Sequence, residues 1–341
     1  MSNSDAPRHK NLFLALAGLI VLWGVLGVFD IGNTPYSGYN TDGDNNVIQV
    51  TAGSPAEAAG MQVGDRIQSV GGVAVEDTRA GFNQQRAEID EVRTIVVERA
   101  GESLNLDVQY AGQPGDQKFL AYIAVLIGLC FLGFGLWAYT AAPGRQTTRL
   151  AVLGLLFGLA FLAGPYIASP VLSAIVGAVS IFAVLVGFAV LLDHVLNFPR
   201  EGDGRRVRAI YVPAILVGLV PTVFTILRPD ATSGINLFFR LLFGLFILGY
   251  FGLALIVMVK TFSRATPTEK TAHGLNLMLI GALLGLGPLL ISGIVNLISP
   301  QTVLPGQQYF ALLLVLVPIT FAMAAVKSAS APVAVGSPAA E

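Results

Sequence analysis

VIQVTAGSPAEAAGMQVGDRIQSVGGVAV, running from Val47 to Val75, is the stretch whose reading decides the fold of this chain. Val47-Ile48-Gln49-Val50 is a short apolar strand. Ser54-Pro55-Ala56-Glu57 opens a short helix. Ser54 is its N-cap, Pro55 occupies the first turn where a missing N–H costs nothing, and Glu57 is placed to complete a capping box. Gly60 closes the helix as a left-handed cap. Gly64-Asp65 turns the chain into a second strand, Arg66 to Val70. Working outward, Thr78 to Asp90 reads as a second helix, and Ile95-Val96-Val97-Glu98 as a strand. Arg99-Ala100-Gly101-Glu102 forms a hairpin turn. Leu104 to Tyr110 alternates apolar and polar residues, the mark of a half-buried strand.

The order strand, helix, strand, helix, hairpin, with GSPAEAAG and VGDRI at these spacings, resembles a bacterial-type PDZ domain. The resemblance implies peptide binding by strand addition, with the peptide's C-terminal carboxylate held in a nest of backbone N–H groups. In bacterial members the nest is similar to an aromatic-x-Gly-apolar tetrapeptide, and Tyr36-Ser37-Gly38-Tyr39 fits that pattern just upstream of Val47. Phe82 and Arg86, one turn apart on the expected second helix, would then face the peptide.

Around this module the composition changes. Of 341 residues, 54% are hydrophobic and 12% charged, about half the charge of an ordinary soluble domain. Such a chain must shed apolar surface into lipid. The net charge of −1 hides a split: residues 30–117 hold 14 Asp/Glu and 5 Lys/Arg, so the acid is concentrated there and the flanks are basic. The single cysteine, Cys130, lies in an apolar run and reads as a small hydrophobe.

A helix needs about 20 apolar residues to cross the ~30 Å hydrocarbon layer. Eight segments are expected to do so: 12–29, 119–142, 150–163, 171–192, 209–227, 241–259, 274–298 and 309–326. The third is short and is expected to continue through Pro165-Tyr166-Ile167-Ala168. The first has the basic start of a signal peptide, but its apolar run is too long and no A-x-A site follows, so a retained anchor is expected. Arg8 and Lys10, Arg145 and Arg149, Arg200 to Arg208, Lys260 to Lys270, and Lys327 all fall on one side of this alternation. That side is cytoplasmic by the positive-inside rule.

The chain is therefore expected to be a polytopic α-helical protein of the plasma (inner) membrane, with an inserted α+β PDZ-like domain. Residues 1–11 form a cytoplasmic start and 12–29 the first span. Residues 30–117 form the extracytoplasmic domain, 118–327 a seven-helix membrane body, and 328–341 a disordered cytoplasmic tail.

Two further segments resemble features of bacterial sensor kinases. Asp193-His194-Val195-Leu196-Asn197-Phe198-Pro199 ends the fourth span, and Pro318-Ile319-Thr320-Phe321-Ala322 lies in the eighth. With the layout of one span, a PDZ-like domain and seven spans, they make the chain similar to the input module of competence-type quorum-sensing histidine kinases. The 14 residues after Lys327 leave no room for a kinase, so the resemblance implies sensing with output left to a separate signalling protein. Asp193 and His194 are expected to be cheap near the interface, an imidazolium suiting a helix C-terminus.

Catalysis is not expected. A zinc protease needs H-E-x-x-H, and the three histidines, His9, His194 and His273, are far apart in sequence. Ser292 and His273 sit at opposite ends of one expected helix. No metal, cofactor or nucleic-acid partner is implied. The function expected is a receptor, sensor or adaptor binding a peptide or protein C-terminus, with membrane lipid around its helices. A transporter or small-molecule receptor with an intramembrane site is the alternative, and an intramembrane protease a remoter one.

Overall fold

The computed structural model describes residues 6–42, 44–77, 80–81, 84–199, 208–227, 233–298 and 304–331. Helix α1, Ala6–Asp30, leads into an inserted domain with eight strands among the described residues. They are β1 (Pro35–Tyr36), β2 (Tyr39–Thr41), β3 (Val47–Val50), β4 (Arg66–Val70), β5 (Val73–Ala74), β6 (Val92–Arg99), β7 (Glu102–Gln109) and β8 (Ala111–Gly112). One antiparallel sheet has the order β5-β4-β6-β7, β2 pairs with β3, and β1 with β8 closes the domain where the chain enters and leaves it.

Local chemistry explains these elements. Ala100 at φ 53° and Gly101 at φ 85° make the tight turn between β6 and β7, the doubly left-handed turn that matches strand twist. Ile95, Val97 and Val108 face inward and bury completely against Val47, Ala56, Met61 and Ile67. Ser54 caps helix α2, Pro55–Ala58, its hydroxyl accepting the Glu57 N–H at 3.3 Å. The capping box does not close as expected: Glu57 Oε2 takes the Gly53 N–H at 2.6 Å, while the Ser54 N–H goes to the Thr51 carbonyl. A backbone partner already held that donor, so the carboxylate reached one residue further back. The expected helix from Thr78 to Asp90 is also corrected. Ala80 and Gly81 are helical, but residues 84–90 are not. This segment is instead held from outside: Arg93 Nη2 donates to the Gln85 carbonyl at 2.8 Å, and the Glu88 N–H to Glu91 Oε2 at 2.7 Å.

The helical body follows: α3 (Gly115–Ala141), α4 (Arg145–Phe161), α5 (Pro170–Leu196), α6 (Tyr211–Leu227), α7 (Ser233–Arg264), short α8 (Pro267–Ala272), α9 (Leu275–Ile298), a 3₁₀ segment (Gln307–Val315) and α10 (Leu316–Ala329). Helices α3, α4, α5, α7, α9 and α10 pack in that order, and α10 returns to α3, closing a ring with α1 outside it. Among the described residues six helices are long and apolar enough to cross a membrane: Lys10–Asp30, Gly115–Ala141, Pro170–Leu196, Leu241–Arg264, Leu275–Ile298 and Tyr309–Ala329. The two other expected spans correspond to α4 and α6, of 17 residues each, or about 26 Å of helix. Helix α4 does not continue through Ala168. It stops at Phe161, and residues 163–169 are irregular up to Ser169, whose hydroxyl caps α5. Pro165 has no N–H for a helical ladder, which ends the helix before it. At the other terminus α10 runs to Ala329, two residues into the expected tail; residues 332–341 lie outside the described residues.

Glycines set the closest approach. A Cβ on Gly135 would meet the Leu150 carbonyl oxygen, and one on Gly154 would come 2.5 Å from that of Phe131. Helices α3 and α4 therefore touch backbone to backbone. At the end of the bundle away from the inserted domain, Asp193 accepts hydrogen bonds from Asn197 Nδ2 at 2.7 Å and the Tyr211 hydroxyl at 2.9 Å. It also pairs with Arg149 at 3.3 Å. His194 departs from expectation. It is fully buried against the rings of Phe198 and Phe321, and neither ring nitrogen has a partner among the described residues. It packs as an aromatic ring rather than sitting as a solvated helix-end cation.

Candidate functional site

The tetrapeptide Tyr36-Ser37-Gly38-Tyr39 is a corner between β1 and β2. Gly38 has φ 87°, and a Cβ there would strike Ser54, so only glycine fits. The corner's carbonyls are committed inward. Gly38 accepts the Thr51 N–H at 2.8 Å and the Ser54 hydroxyl at 3.4 Å; Ser37 accepts the Ala56 N–H at 2.9 Å. With those oxygens turned toward α2, the N–H groups of Ser37 and Gly38 donate to nothing among the described residues. Successive free N–H groups at a corner make an anion-binding concavity.

Strand β2 continues from that corner. One of its edges pairs with β3, through Tyr39↔Val50 and Asn40↔Gln49; the other carries no strand among the described residues. An open edge beside a nest is the arrangement strand addition uses. Tyr39 leans on the domain core, and burial pushes its phenol well above the usual tyrosine range, as it does more mildly for Tyr110, the partner of its hydroxyl. Tyr39 thus serves the wall of the corner, while Ser37 and Gly38 supply its backbone donors.

Phe82 lies outside the described residues. Arg86 is described, and it points to a different surface. Its Nη1 donates to Ser173 Oγ at 3.0 Å on the first turn of α5, and its guanidinium lies 5.6 Å from the Tyr166 ring centroid. Tyr166 completes the seat. Its hydroxyl donates to the Ala87 carbonyl at 2.8 Å, and its backbone N–H donates to Asp30 Oδ2 at 2.7 Å. One aromatic in the irregular segment before α5 therefore ties residues 86–87 of the inserted domain to the end of α1. Sequence reasoning passed over Tyr166, Ser173 and Asp30. The available signal was an aromatic with a polar tip beside the Gly164-Pro165 break, where such residues commonly mark a membrane–water boundary.

Concavities lie on the inserted domain, beneath it and among the helices of the body. A polar cleft of about 870 Å³ lies over β4 and β6, lined by Gly71, Gln84, Arg86, Arg93 and Thr94. A cavity of about 330 Å³ lies beneath the domain between α1 and α5. An apolar cleft of about 630 Å³ opens among α5, α7 and α9, with Asn296 at its edge. In the polar cleft Arg93 is paired with Glu91 at 2.6 Å, which holds the Glu91 carboxyl below the usual carboxylate range. Among the described residues no group of histidine, cysteine and carboxylate side chains is arranged to hold a metal ion.

A family model described as PDZ domain matches residues 47–109. No curated protein matches the chain as a relative. The match begins at β3 and ends with β7, so β1, β2 and the Tyr36–Tyr39 corner are joined to it by the pairings described above. Residues 47–109 are a PDZ domain, carried by a chain that has, among the described residues, six helices long and apolar enough to cross a membrane.

Proposed function

We propose that this protein is a non-enzymatic membrane receptor or adaptor. Its PDZ domain, outside the cytoplasm, captures a peptide or protein C-terminus at the Ser37–Gly38 nest and along the free edge of β2. The helical body then passes the bound state to a separate signalling protein on the cytoplasmic side. The observation that carries this reading is the seat of the domain on the body. Arg86 and Ala87, in the segment that follows the short helical turn, are bonded to Ser173 and Tyr166. A domain acting only as a tethered hook would need no such contact.

The test uses the intact protein in nanodiscs, titrated with C-terminal peptide libraries and followed by hydrogen exchange. Peptides that bind should protect residues 36–41 and change exchange at both 84–90 and 164–173. Binding without any change at 164–173 would remove the relay, and a folded domain that binds no peptide would remove the receptor. The 630 Å³ apolar cleft supports a second reading, a small-molecule receptor with an intramembrane site. A ligand-dependent melting shift that survives deletion of residues 30–117 would favour it.

A further inference from the structure

We infer that the cavity between α1 and α5 binds the hydrocarbon of an anionic phospholipid whose phosphate sits at Arg86. The inference rests on the helices being embedded in a bilayer, and not on peptide capture. Two helix faces and the irregular segment 163–167 wall this cavity of about 330 Å³; the faces are Trp23, Gly27 and Asp30 on α1, and Ser173, Val176 and Ser180 on α5. Both sets recur at helical spacing, so each is one stripe running along the bundle. The distance from Ser173 to Ser180 is about 10 Å of helix, and it carries a gradient. Asp30, Thr34, Gln113 and Arg86 stand at the end nearest the PDZ domain, while Trp23, Val176 and the single hydroxyl of Ser180 lie deeper. A pocket polar at the membrane boundary and largely apolar below it has the polarity of a lipid.

Arg86 sets the sign of the head group. It lines both this cavity and the neighbouring polar cleft. Its observed partners are a neutral hydroxyl and an aromatic face, and among the described residues no carboxylate lies within ion-pair distance of it. Of the nearby charges, Arg93 is matched to Glu91, and Asp30 to the Tyr166 N–H and the Asn33 amide; Glu88 also lines the polar cleft, exposed and outside ion-pair distance of Arg86. A guanidinium fork with open donors suits a phosphate. The outer turns of α5 beside it expose Val171, Leu172 and Ile175, where bilayer lipid is at hand.

Native mass spectrometry of the intact detergent-purified chain tests this, with phosphatidylglycerol, phosphatidylcholine and oleate as titrants. One phosphatidylglycerol should bind with about tenfold preference over phosphatidylcholine. Arg86→Gln should erase the preference, Arg86→Lys should keep part of it, and Val176→Trp should abolish retention of either lipid. Equal binding of the two phospholipids by the wild type would overturn the proposal, as would an unchanged preference in Arg86→Gln. Occupancy by oleate with phosphatidylglycerol excluded would overturn it in favour of a free fatty acid. Because Arg86 is exposed, Arg86→Gln should fold normally even if Val176→Trp does not. Peptide titration of the same samples is read separately, so loss of peptide binding with intact lipid preference would strike only the receptor reading.

Discussion

The ring of His194 stacks on that of Phe321, centroids 5.9 Å apart and planes at 28°, and the Phe198 ring lies 5.6 Å from it. Two segments far apart in sequence, each notable as a span end, thereby form one contact between α5 and α10. The imidazole contributes shape here, since neither of its nitrogens has a partner among the described residues. His194→Phe should leave the melting temperature of the intact protein within a few degrees. His194→Ala leaves a cavity beside two rings and should lower it by about 5–10 °C. Thermal unfolding in detergent separates the two outcomes; equal loss from both variants would mean the nitrogens matter.

Helices α3 and α4 meet where Gly135 faces the Leu150 carbonyl and Gly154 the Phe131 carbonyl. No side chain can be admitted without moving a helix. Gly154→Val should destabilise the bundle by about 1–3 kcal/mol, the usual cost of overpacking. The substitution of Gly177, which has open space around it, should cost far less. Comparing Gly154→Val with Gly177→Val in one unfolding assay checks both.

Asp65 is buried, and Arg99 grips it twice, Nε to Oδ1 and Nη2 to Oδ2, both at 2.7 Å; the Gln62 N–H adds a third bond at 2.8 Å. The Arg99 guanidinium first, then the Gln62 N–H, holds the carboxyl below the usual carboxylate range against the opposing effect of burial. A depressed folded-state pKa means stabilisation that is present above the unfolded value of about 3.9 and is lost as pH falls through the lower folded one. The protection of amides in β3 and β4 of the intact protein, taken relative to the intrinsic exchange rate at each pH, should therefore fall below about pH 4. Asp65→Asn should be poorly protected at pH 7 already and show little of that acid response. Identical pH profiles for the two proteins would refute the assignment.

Gly38→Ala places a methyl group against Ser54 at a left-handed backbone position. Left-handed alanine alone costs about 1–2 kcal/mol. The corner must open, so binding of any C-terminal peptide should fall at least tenfold, by calorimetry, while the helical body keeps its melting temperature. Retained affinity would mean that the nest lies elsewhere.

Tyr166→Phe removes one hydroxyl that donates to the Ala87 carbonyl. The loss of that bond, worth about 0.5–1.5 kcal/mol, should raise exchange at residues 84–90 and leave β6 and β7 unaffected. Uniform exchange changes across the domain would point to a global effect instead.

Much of this protein is written in short-range patterns. Gly60, Gly64 and the Ala100-Gly101 turn declare themselves because a left-handed residue has few chemical solutions. Strands β3, β4, β6 and β7 follow from alternation, and the apolar runs follow from the cost of leaving an unpaired backbone in lipid. The Tyr36–Tyr39 corner was legible as a motif for the same reason as Gly38 itself. What tertiary structure decided is which groups already had partners. Glu57 turned to Gly53 because the Ser54 N–H was taken, and residues 84–90 gave up a helix for bonds to Arg93, Glu91 and Tyr166. Arg86 left the expected peptide side for Ser173, and His194 gave up solvent for two phenylalanines. Local propensity is decided within a few residues and so can be read in order along the chain. Partnership depends on which distant segments a closed bundle and a small sheet bring within 3 Å, and no stretch of sequence contains that information.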